Sequence, residues 1–402
     1  MRRSVIIIGG GPAGLTAARV LREGGIADVL VLERDREAGG VPRYCGHPGF
    51  GLIDFQRIWS GPDYARRLVE ATRGTSITTG ATVLGLEPGG RVRVSTSAGL
   101  ETLEAQAVLL ATGARETPRS ARLISGSRPW GVTTTGAFQE MVYAGGMRPF
   151  ARPIVVGSEL VSFSALLTAR HARISPVAMI EEADRIAARG PSGLITRALF
   201  GVPLLTGARL AEIRGDEHVE SVVVERHGTR TVLPCDAVIF SGRFVPEAAL
   251  VRTSHLTIDP STGGPAIDSN FRCSDPAFFA AGNVLRAVEH AGMVSTEGRL
   301  AALAILRALR GSLPESVRAI PLEAGAGLRY AYPQRVVPEA GTSLRLFARA
   351  ARPCRGVFRL LADGVVVAER RGTVAPERRL TLTLPAERVI GSSKLEAVLD
   401  ER

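Results

Sequence analysis

The chain of 402 residues exceeds what a single core supports, roughly 250 to 300 residues, so two or three domains are expected. A hydrophobic fraction of 45% with 45 glycines and few aromatics suits an α/β protein rich in tight strand-to-helix turns and excludes a disordered or fibrous chain. The formal charge of +11 is spread along the whole length and carried by arginine, Lys394 being the only lysine; without an aromatic-interleaved basic run it reads as a solvated basic surface, a patch for an acidic protein partner comes second, and nucleic acid is not expected.

Met1, Arg2 and Arg3 and the apolar run after them break into Gly9 to Gly11 with no cleavage site, so the run reads as a strand and not as a signal peptide. No apolar stretch approaches the ~18 residues of a membrane span, and a cytoplasmic address is the expectation. Cys45, Cys235, Cys273 and Cys354 lie far apart and form no C-x-x-C pair, which leaves structural disulfides, an iron-sulfur cluster and a zinc site without support.

The stretch "SVIIIGGGPAGLTAARVLREGG" reads as a strand, a glycine turn and a helix with apolar residues at Leu15, Ala18 and Leu21; "DVLVLER" is a second strand. Gly9, Gly11 and Gly14 satisfy G-x-G-x-x-G, and Glu33 follows at the end of the second strand, 24 positions after Gly9. Gly9 permits the tight turn, Gly11 lets backbone approach a pyrophosphate and Gly14 packs helix on strand, while the helix N-terminus offers its amides to the anion and Glu33 accepts from ribose hydroxyls. A bare glycine pattern recurs by chance; the strand, helix, second strand and terminal acid together make it specific.

The next segment, "AGGVPRYCGHPGFG", holds Cys45 without a partner among glycines and prolines. "AVLLATGARETP" is a buried strand ending in Ala111, Thr112 and Gly113. From about residue 150 to 241, beginning "RPIVVGSELVSFSALLTARHARISPVAMIEE", a second strand, turn, helix and strand recur. Only Gly157 of that glycine pattern survives: Glu159 stands where a glycine would let phosphate approach, and Ser162 replaces the third. A side chain and a negative charge there would repel a pyrophosphate. Glu181 still ends the strand. "PAFFAAGNVL" is another strand, ending at Ala281, Gly282 and Asn283, and "EHAGMVSTEGRLAALAIL" is a helix that begins near Gly292 and Met293. In residues 320–402, "LRLFARA", "GVFRLLADGVVVAERRG" and "RRLTLTLP" alternate with period two, and Asp363-Gly364 marks a hairpin, so a small antiparallel sheet or sandwich is expected, serving docking, dimerisation or simple capping.

In its three ordered motifs the chain resembles the two-dinucleotide-binding-domain flavoproteins, relatives of glutathione and thioredoxin reductases, over about residues 4 to 312. The resemblance implies FAD as cofactor. It assigns Gly9, Gly11, Pro12, Ala13, Gly14, Glu33 and Arg34 to the ADP half and Val83, in "GATVLGLE", to the adenine. Ala111, Thr112 and Gly113 go to the pyrophosphate side, Gly282 and Asn283 to the ribityl chain, and Gly292 and Met293 to the flavin ring. Asn283 stands where the family has aspartate; an amide oxygen still accepts a ribityl hydroxyl, without the carboxylate charge. A helix dipole aimed at the pyrimidine side would favour reduced flavin. The second Rossmann unit occupies the family's NAD(P)H position but is expected to be a scaffold that no longer binds nicotinamide.

In disulfide reductases of this family the two glycines after the acidic strand lead to a redox-active cysteine pair. Here Pro42 and His47 stand near those positions, so a dithiol relay within the chain is excluded. Gly40 and Val41 are expected to bring the loop over the flavin. Arg43 is expected to contact FAD phosphate or ribityl oxygens, or else a substrate carboxylate. His47 is expected to act as general base or to make turn hydrogen bonds, and Cys45 to be inert packing. Tyr44 and His290 are weaker candidates.

This loop and "RETPRSARLISGSRPWGV" are also similar to a narrower group, the flavin subunits of bacterial heteromeric dehydrogenases such as hydroxyproline dehydrogenase, opine oxidase and hydrogen cyanide synthase. The architecture expected is α/β: an FAD domain from 1–128 and 242–314, an inserted NAD(P)-binding-like Rossmann domain at 129–241 and a β-rich module at 320–402. The expected function is FAD-dependent dehydrogenation of an amino acid, imino acid or related CH-NH or CH-OH donor, with electrons passed to a partner subunit, electron-transfer protein or diffusible acceptor. The alternatives are an NAD(P)H-dependent flavoprotein reductase and a non-catalytic FAD-stabilised scaffold within a larger complex.

Overall fold

Ile6, Ile7 and Ile8 are consecutive and all buried, which a strand can satisfy only if both of its faces are covered. The structure, a computed structural model, describes residues 2–188, 200–316 and 319–401 and provides that cover. Strand Arg2–Ile8 pairs in parallel with Val29–Leu32 on one side and with Gly99–Leu110 on the other, and Ser76–Thr78 extends the sheet beyond Val29–Leu32. Val5 and Ile7 face the helices Pro12–Glu23 and Ala291–Leu309 and pack with Ala17, Leu21, Ala301 and Ile305. Ile6 and Ile8 point the other way, into a core with Leu30, Val92, Val94, Val251 and Phe278.

The far edge of strand Gly99–Leu110 is shared. Its first half takes the antiparallel strand Arg91–Thr96, which turns back into Thr82–Glu87, and its last residues take Phe278–Ala280 in parallel. The carboxyl ends of four parallel strands, at Ile8, Leu32, Leu110 and Ala280, therefore lie along one edge, where open α/β sheets bind their ligands. The two helices cross closely because Gly298 carries no side chain: a Cβ there would overlap the carbonyl oxygen of Ala13. One turn away the hydroxyls of Thr16 and Ser295 meet at 2.5 Å, a buried polar pair that fixes the crossing point.

The chain forms two compact units, one of Met1–Gly40, Leu68–Ala114 and Pro246–Arg402 and one of Val41–Arg67 and Arg115–Val245. Within the first, the C-terminal strands form a sandwich around a single core. A five-stranded sheet runs Arg335–Val336, Ile320–Ala324, Leu395–Glu401, Cys354–Ala362, Val365–Val374, the last strand forming its edge, and faces a three-stranded sheet of Leu328–Tyr332, Ser343–Ala350 and Arg379–Pro385. The period-two pattern delivers Leu344, Leu346, Ala348 and Ala350 to that core. Asp363 and Gly364, with φ of 47° and 84°, make the hairpin turn expected of them. One pairing differs from an antiparallel sheet: Ile320–Ala324 runs parallel to Leu395–Glu401. These strands open and close the sandwich, so no short turn joins them and the intervening chain supplies the long crossover a parallel pair needs.

The second unit repeats the parallel design. Strands Val132–Thr134, Ala237–Phe240, Pro153–Val156, Ala178–Ile180 and Leu204–Leu205 form one parallel sheet, with helices Thr135–Tyr143 and Leu160–His171 packed on it through Phe138, Val142, Ala165 and Leu166. Its other face is covered by the strands Ala208–Arg214, Ser221–Arg226 and Thr229–Pro234.

Gly298→Ala is expected to lower stability by about 1–3 kcal/mol, the cost of overpacking a close backbone contact. Gly372→Ala, on an open face of strand Val365–Val374, should stay within about 0.5 kcal/mol of the parent. Urea midpoints of the three proteins provide the check.

Candidate functional site

The first glycine turn separates glycines the fold requires from one it does not. Gly9 has φ of 109° and a Cβ would overlap the Ala111 carbonyl oxygen; a Cβ on Gly14 would overlap the Gly9 carbonyl oxygen. Gly11 caps helix Pro12–Glu23 at φ −87° and ψ −170°, a conformation any residue adopts, and the nearest atom to a Cβ there is Gly40 Cα at 3.9 Å. Nothing among the described residues demands glycine at that position. A group lying directly against this backbone would, and the residues fit a diphosphate. The first intrahelical bond runs from Leu15 N–H to Gly11 O at 2.9 Å, so the amides of Ala13 and Gly14 precede it and belong to the positive end of the helix. Pro12, at the first helical position, has no amide to satisfy.

Glu33 is held at the same turn. Its Oε2 accepts from the Gly10 amide at 2.7 Å and its Oε1 from Asp35 N–H at 2.9 Å, which leaves further lone pairs of the carboxylate for a ribose. Arg34 beside it is exposed, and Val83 is half-buried on strand Thr82–Glu87. Gly40, at φ of 64°, lies against Gly11, and Gly39 N–H donates to Gly10 O at 2.7 Å, so the chain after the second strand returns to the glycine turn.

The other two strand ends arrive at this edge. Ala111 is buried, Thr112 Oγ1 donates to Glu247 O at 2.7 Å, and Gly113, at φ of 78°, accepts from Glu247 N–H at 2.9 Å. Gly282, at φ of 83°, packs onto the glycine-turn helix: a Cβ would come within 3.1 Å of Ala13 Cβ. Asn283 has a local task. Its Oδ1 accepts from Glu289 N–H at 2.8 Å and its Nδ2 donates to Glu289 O at 3.3 Å; an aspartate could not make the second bond. His290 is the cap of helix Ala291–Leu309, its Nδ1 accepting from Gly292 N–H at 3.3 Å, and Gly292 and Met293 form the first turn.

Beside these residues lies a charge cluster that the sequence reading missed. Arg286 is fully buried, paired with Glu297 and donating from Nη1 to Gly282 O at 2.8 Å. Glu297 also accepts from Arg379 of the C-terminal sandwich at 3.1 Å, and Arg349 of the same sandwich pairs with Glu289 at 2.7 Å. Burial pushes the Glu297 carboxyl up, against the pull of Arg286 and Arg379. The one acid in the mostly apolar "GMVSTEGRLAALAIL", whose one base is Arg299, was the available signal; its partners Arg286 and Arg379 lie 11 and 82 positions away, outside any helical spacing rule.

The cysteine loop lies in the second unit. Val41 opens a short 3-10 turn, Val41–Tyr44, in which Arg43 donates to the Tyr44 hydroxyl and stacks over its ring at 4.7 Å. His47 is engaged locally, its Nδ1 3.0 Å from Pro48 O and its ring 5.3 Å from Phe50. Cys45 is buried with Sγ directed at Val41 O and Gln139 Oε1, and burial, reinforced by Glu116, pushes its thiol up to about 12.

In the same unit the second turn is filled by the protein's own atoms. Glu159 caps helix Leu160–His171, its carboxylate lies against Gly242, and its Oε1 accepts from Arg243 N–H at 3.3 Å. Ser162 Oγ donates to Ser241 Oγ at 2.9 Å, and Ser158 bridges Glu181 Oε2 at 2.5 Å and Ala187 N–H at 2.9 Å. Arg122 donates to the carbonyls of Ser241 and Gly242 at 2.9 and 2.8 Å. The cleft beside the turn, about 260 Å³, is lined by Arg122, Arg209 and Arg243 but also by Glu159, Glu181 and Glu182. These residues do not fit a dinucleotide diphosphate: the approach that Gly11 leaves open is here occupied by a carboxylate.

Residues 3–298 match the model of the pyridine nucleotide-disulphide oxidoreductase family. The chain belongs to that family. It is an FAD-binding oxidoreductase, and the family match ends before the C-terminal sandwich. The chain is similar to an opine oxidase subunit of Agrobacterium tumefaciens (strain Ach5), 26% identical over 339 residues that cover 76% of this chain and 66% of that protein, so it spans just under two thirds of that relative's length. It is also similar to a probable ferredoxin reductase, CtmF, of Castellaniella defragrans, 28% identical over 293 residues, 70% of this chain and 67% of that one. Thioredoxin reductase of T. acidophilum matches with a TM-score of 0.64 at 21% identity, over 76% of this chain and 98% of that structure, a likeness of fold. Among the described residues no helix is long and apolar enough to cross a membrane.

With its thiol pushed up to about 12, Cys45 stays protonated throughout the neutral range. The folded protein should therefore show no alkylation of Cys45 by iodoacetamide at pH 8 and full alkylation once unfolded, as read by peptide mass spectrometry.

Proposed function

We propose that this chain is the flavin-bearing part of a dehydrogenase that oxidises an amino acid, imino acid or related amine and hands the electrons to a partner protein. The observation that carries the reading is the contrast between the two glycine turns. The first keeps at Gly11 an opening that the fold does not need; the second has Glu159 in the equivalent place, held by the Arg243 amide. A turn closed in this way disfavours a nicotinamide donor, so electrons enter from another reductant. The similarity to an oxidase subunit favours an oxidisable organic substrate and a heteromeric assembly.

On this reading the amides of Ala13 and Gly14 and the backbone of Gly9 and Gly11 hold the diphosphate, and Glu33 takes the adenosine ribose with Val83 beside the base. Thr112 and Gly113 flank the diphosphate, Gly282 and Asn283 the ribityl chain, and Gly292 and Met293 the ring. FAD, when bound, supplies the two-electron acceptor for a substrate C–H bond beside nitrogen or oxygen. The protein's own part is orientation and charge: the positive ends of helices Pro12–Glu23 and Ala291–Leu309 both lie at this edge. Arg43 and His47 are proposed to serve the substrate, Arg43 as partner of a carboxylate and His47 as proton acceptor.

Two outcomes are expected. Gly11→Ala should keep the far-UV circular dichroism of the parent but bind FAD at least ~10-fold more weakly, a loss of about 1.4 kcal/mol, as measured by fluorescence titration of the apoprotein. Mixed anaerobically with NADH or NADPH, the purified flavoprotein should keep its oxidised absorption spectrum, while a panel of amino and imino acids should include one that bleaches it; prompt bleaching by a nicotinamide instead would assign the chain to the reductases.

A further inference from the structure

The C-terminal sandwich reaches the carboxyl edge of the first sheet through two arginines. Arg379, at the start of strand Arg379–Pro385, donates to Glu297 Oε1 at 3.1 Å and directs Nη2 at Met293 Sδ, 3.7 Å away. It is fixed from behind by the Tyr332 hydroxyl at 3.2 Å and by the Phe347 ring, over which it lies at 4.4 Å. Arg349 pairs with Glu289, the residue whose backbone Asn283 clamps from both sides. Arg286 lies over the Tyr332 ring at 4.7 Å. The segment from Gly282 to Met293 is thus gripped at Arg286, Glu289 and Met293 by one module, and the same segment packs against Ala13 of the glycine-turn helix through Gly282.

The cluster is also unbalanced. Arg286, Arg349 and Arg379 face two carboxylates, Glu289 and Glu297, and side-chain exposure is 0%, 10%, 15%, 8% and 5% in that order. A surplus positive charge with so little water is costly unless an anion lies near it. The Nε atoms of Arg286 and Arg349 are buried and have no hydrogen-bond partner among the described residues. Nothing inside the cluster supplies the missing negative charge.

The geometry points to the sandwich as an electrostatic and positioning element of the flavin site: Arg379 and Arg349 hold the Gly282-to-Met293 segment and place beside it a positive charge that favours the reduced cofactor. This rests on the placement of FAD proposed above. Uptake of two electrons and one proton leaves the bound isoalloxazine with one more negative charge than before, and a fixed cation stabilises that state more than the oxidised one. Arg379 and Arg349 act through Glu297, Met293 and Glu289, and so are positioning residues.

The test uses the FAD-loaded protein and its Arg379→Gln and Arg349→Gln variants, with Arg345→Gln, an exposed arginine of the same sandwich, as control. Arg379→Gln leaves Glu297 paired with Arg286, and Arg349→Gln leaves the Glu297 pairs untouched, so should one variant fail to fold the other carries the test. Dithionite titration against a redox dye is expected to give a more negative flavin midpoint potential in both variants and the parent value in Arg345→Gln. Equal potentials in all four proteins, with FAD bound, would overturn the role of the sandwich alone. A parent protein that does not bind FAD would instead overturn the flavin reading.

Discussion

Between the end of strand Arg2–Ile8 and the first turn of the helix that follows there is no room for a side chain: the carbonyls of Gly9 and Ala111 occupy the positions where Gly14 and Gly9 would carry one. This closeness puts the helix N-terminus at the sheet edge, brings Gly39 and Gly40 back against the turn and lets Gly282 settle on Ala13. Loosening it by one methyl group would move three strand ends and a helix dipole together. The candidate site is thus a property of backbone packing first and of side chains second.

The second Rossmann unit makes the point by contrast. It has the same strand, turn and helix, with Gly157 at φ of 121° in the position of Gly9, but its helix cap is Glu159 and its third position Ser162. The backbone needed only Gly157 to make its turn. The other two positions were therefore open to residues that hydrogen-bond inward, to Arg243 and Ser241, and these fill the place that Gly11 leaves open in the first turn.

Much of this was legible from residues close together in sequence. The glycine pattern, Glu33 at the strand end, the period-two strands and the Asp363-Gly364 turn each depend on neighbours within one βαβ unit or hairpin, and each appears as read. The charge cluster that escaped depends on distant partners. Glu297 and Arg379 are 82 positions apart and Arg349 and Glu289 are 60 apart, so no spacing rule connects them. Two local bonds also escaped, Asn283 to the Glu289 backbone six positions on and His290 Nδ1 to the Gly292 amide two positions on, because no motif announces either. The sandwich offered no motif, and its contribution is two side chains that reach out of it.

The edge strand Val365–Val374 shows what the abundance of arginine does elsewhere. It is ten residues long, and on the sheet's outer side it has no strand neighbour among the described residues, the kind of edge that recruits another chain into intermolecular β-pairing, although Arg388 Nη1 already covers Val367 O at 2.8 Å. Glu369, Arg370 and Arg371 are exposed in the middle of that edge. A second copy approaching in register would have to desolvate all three, so the charges act as gatekeepers against fibril-like self-association.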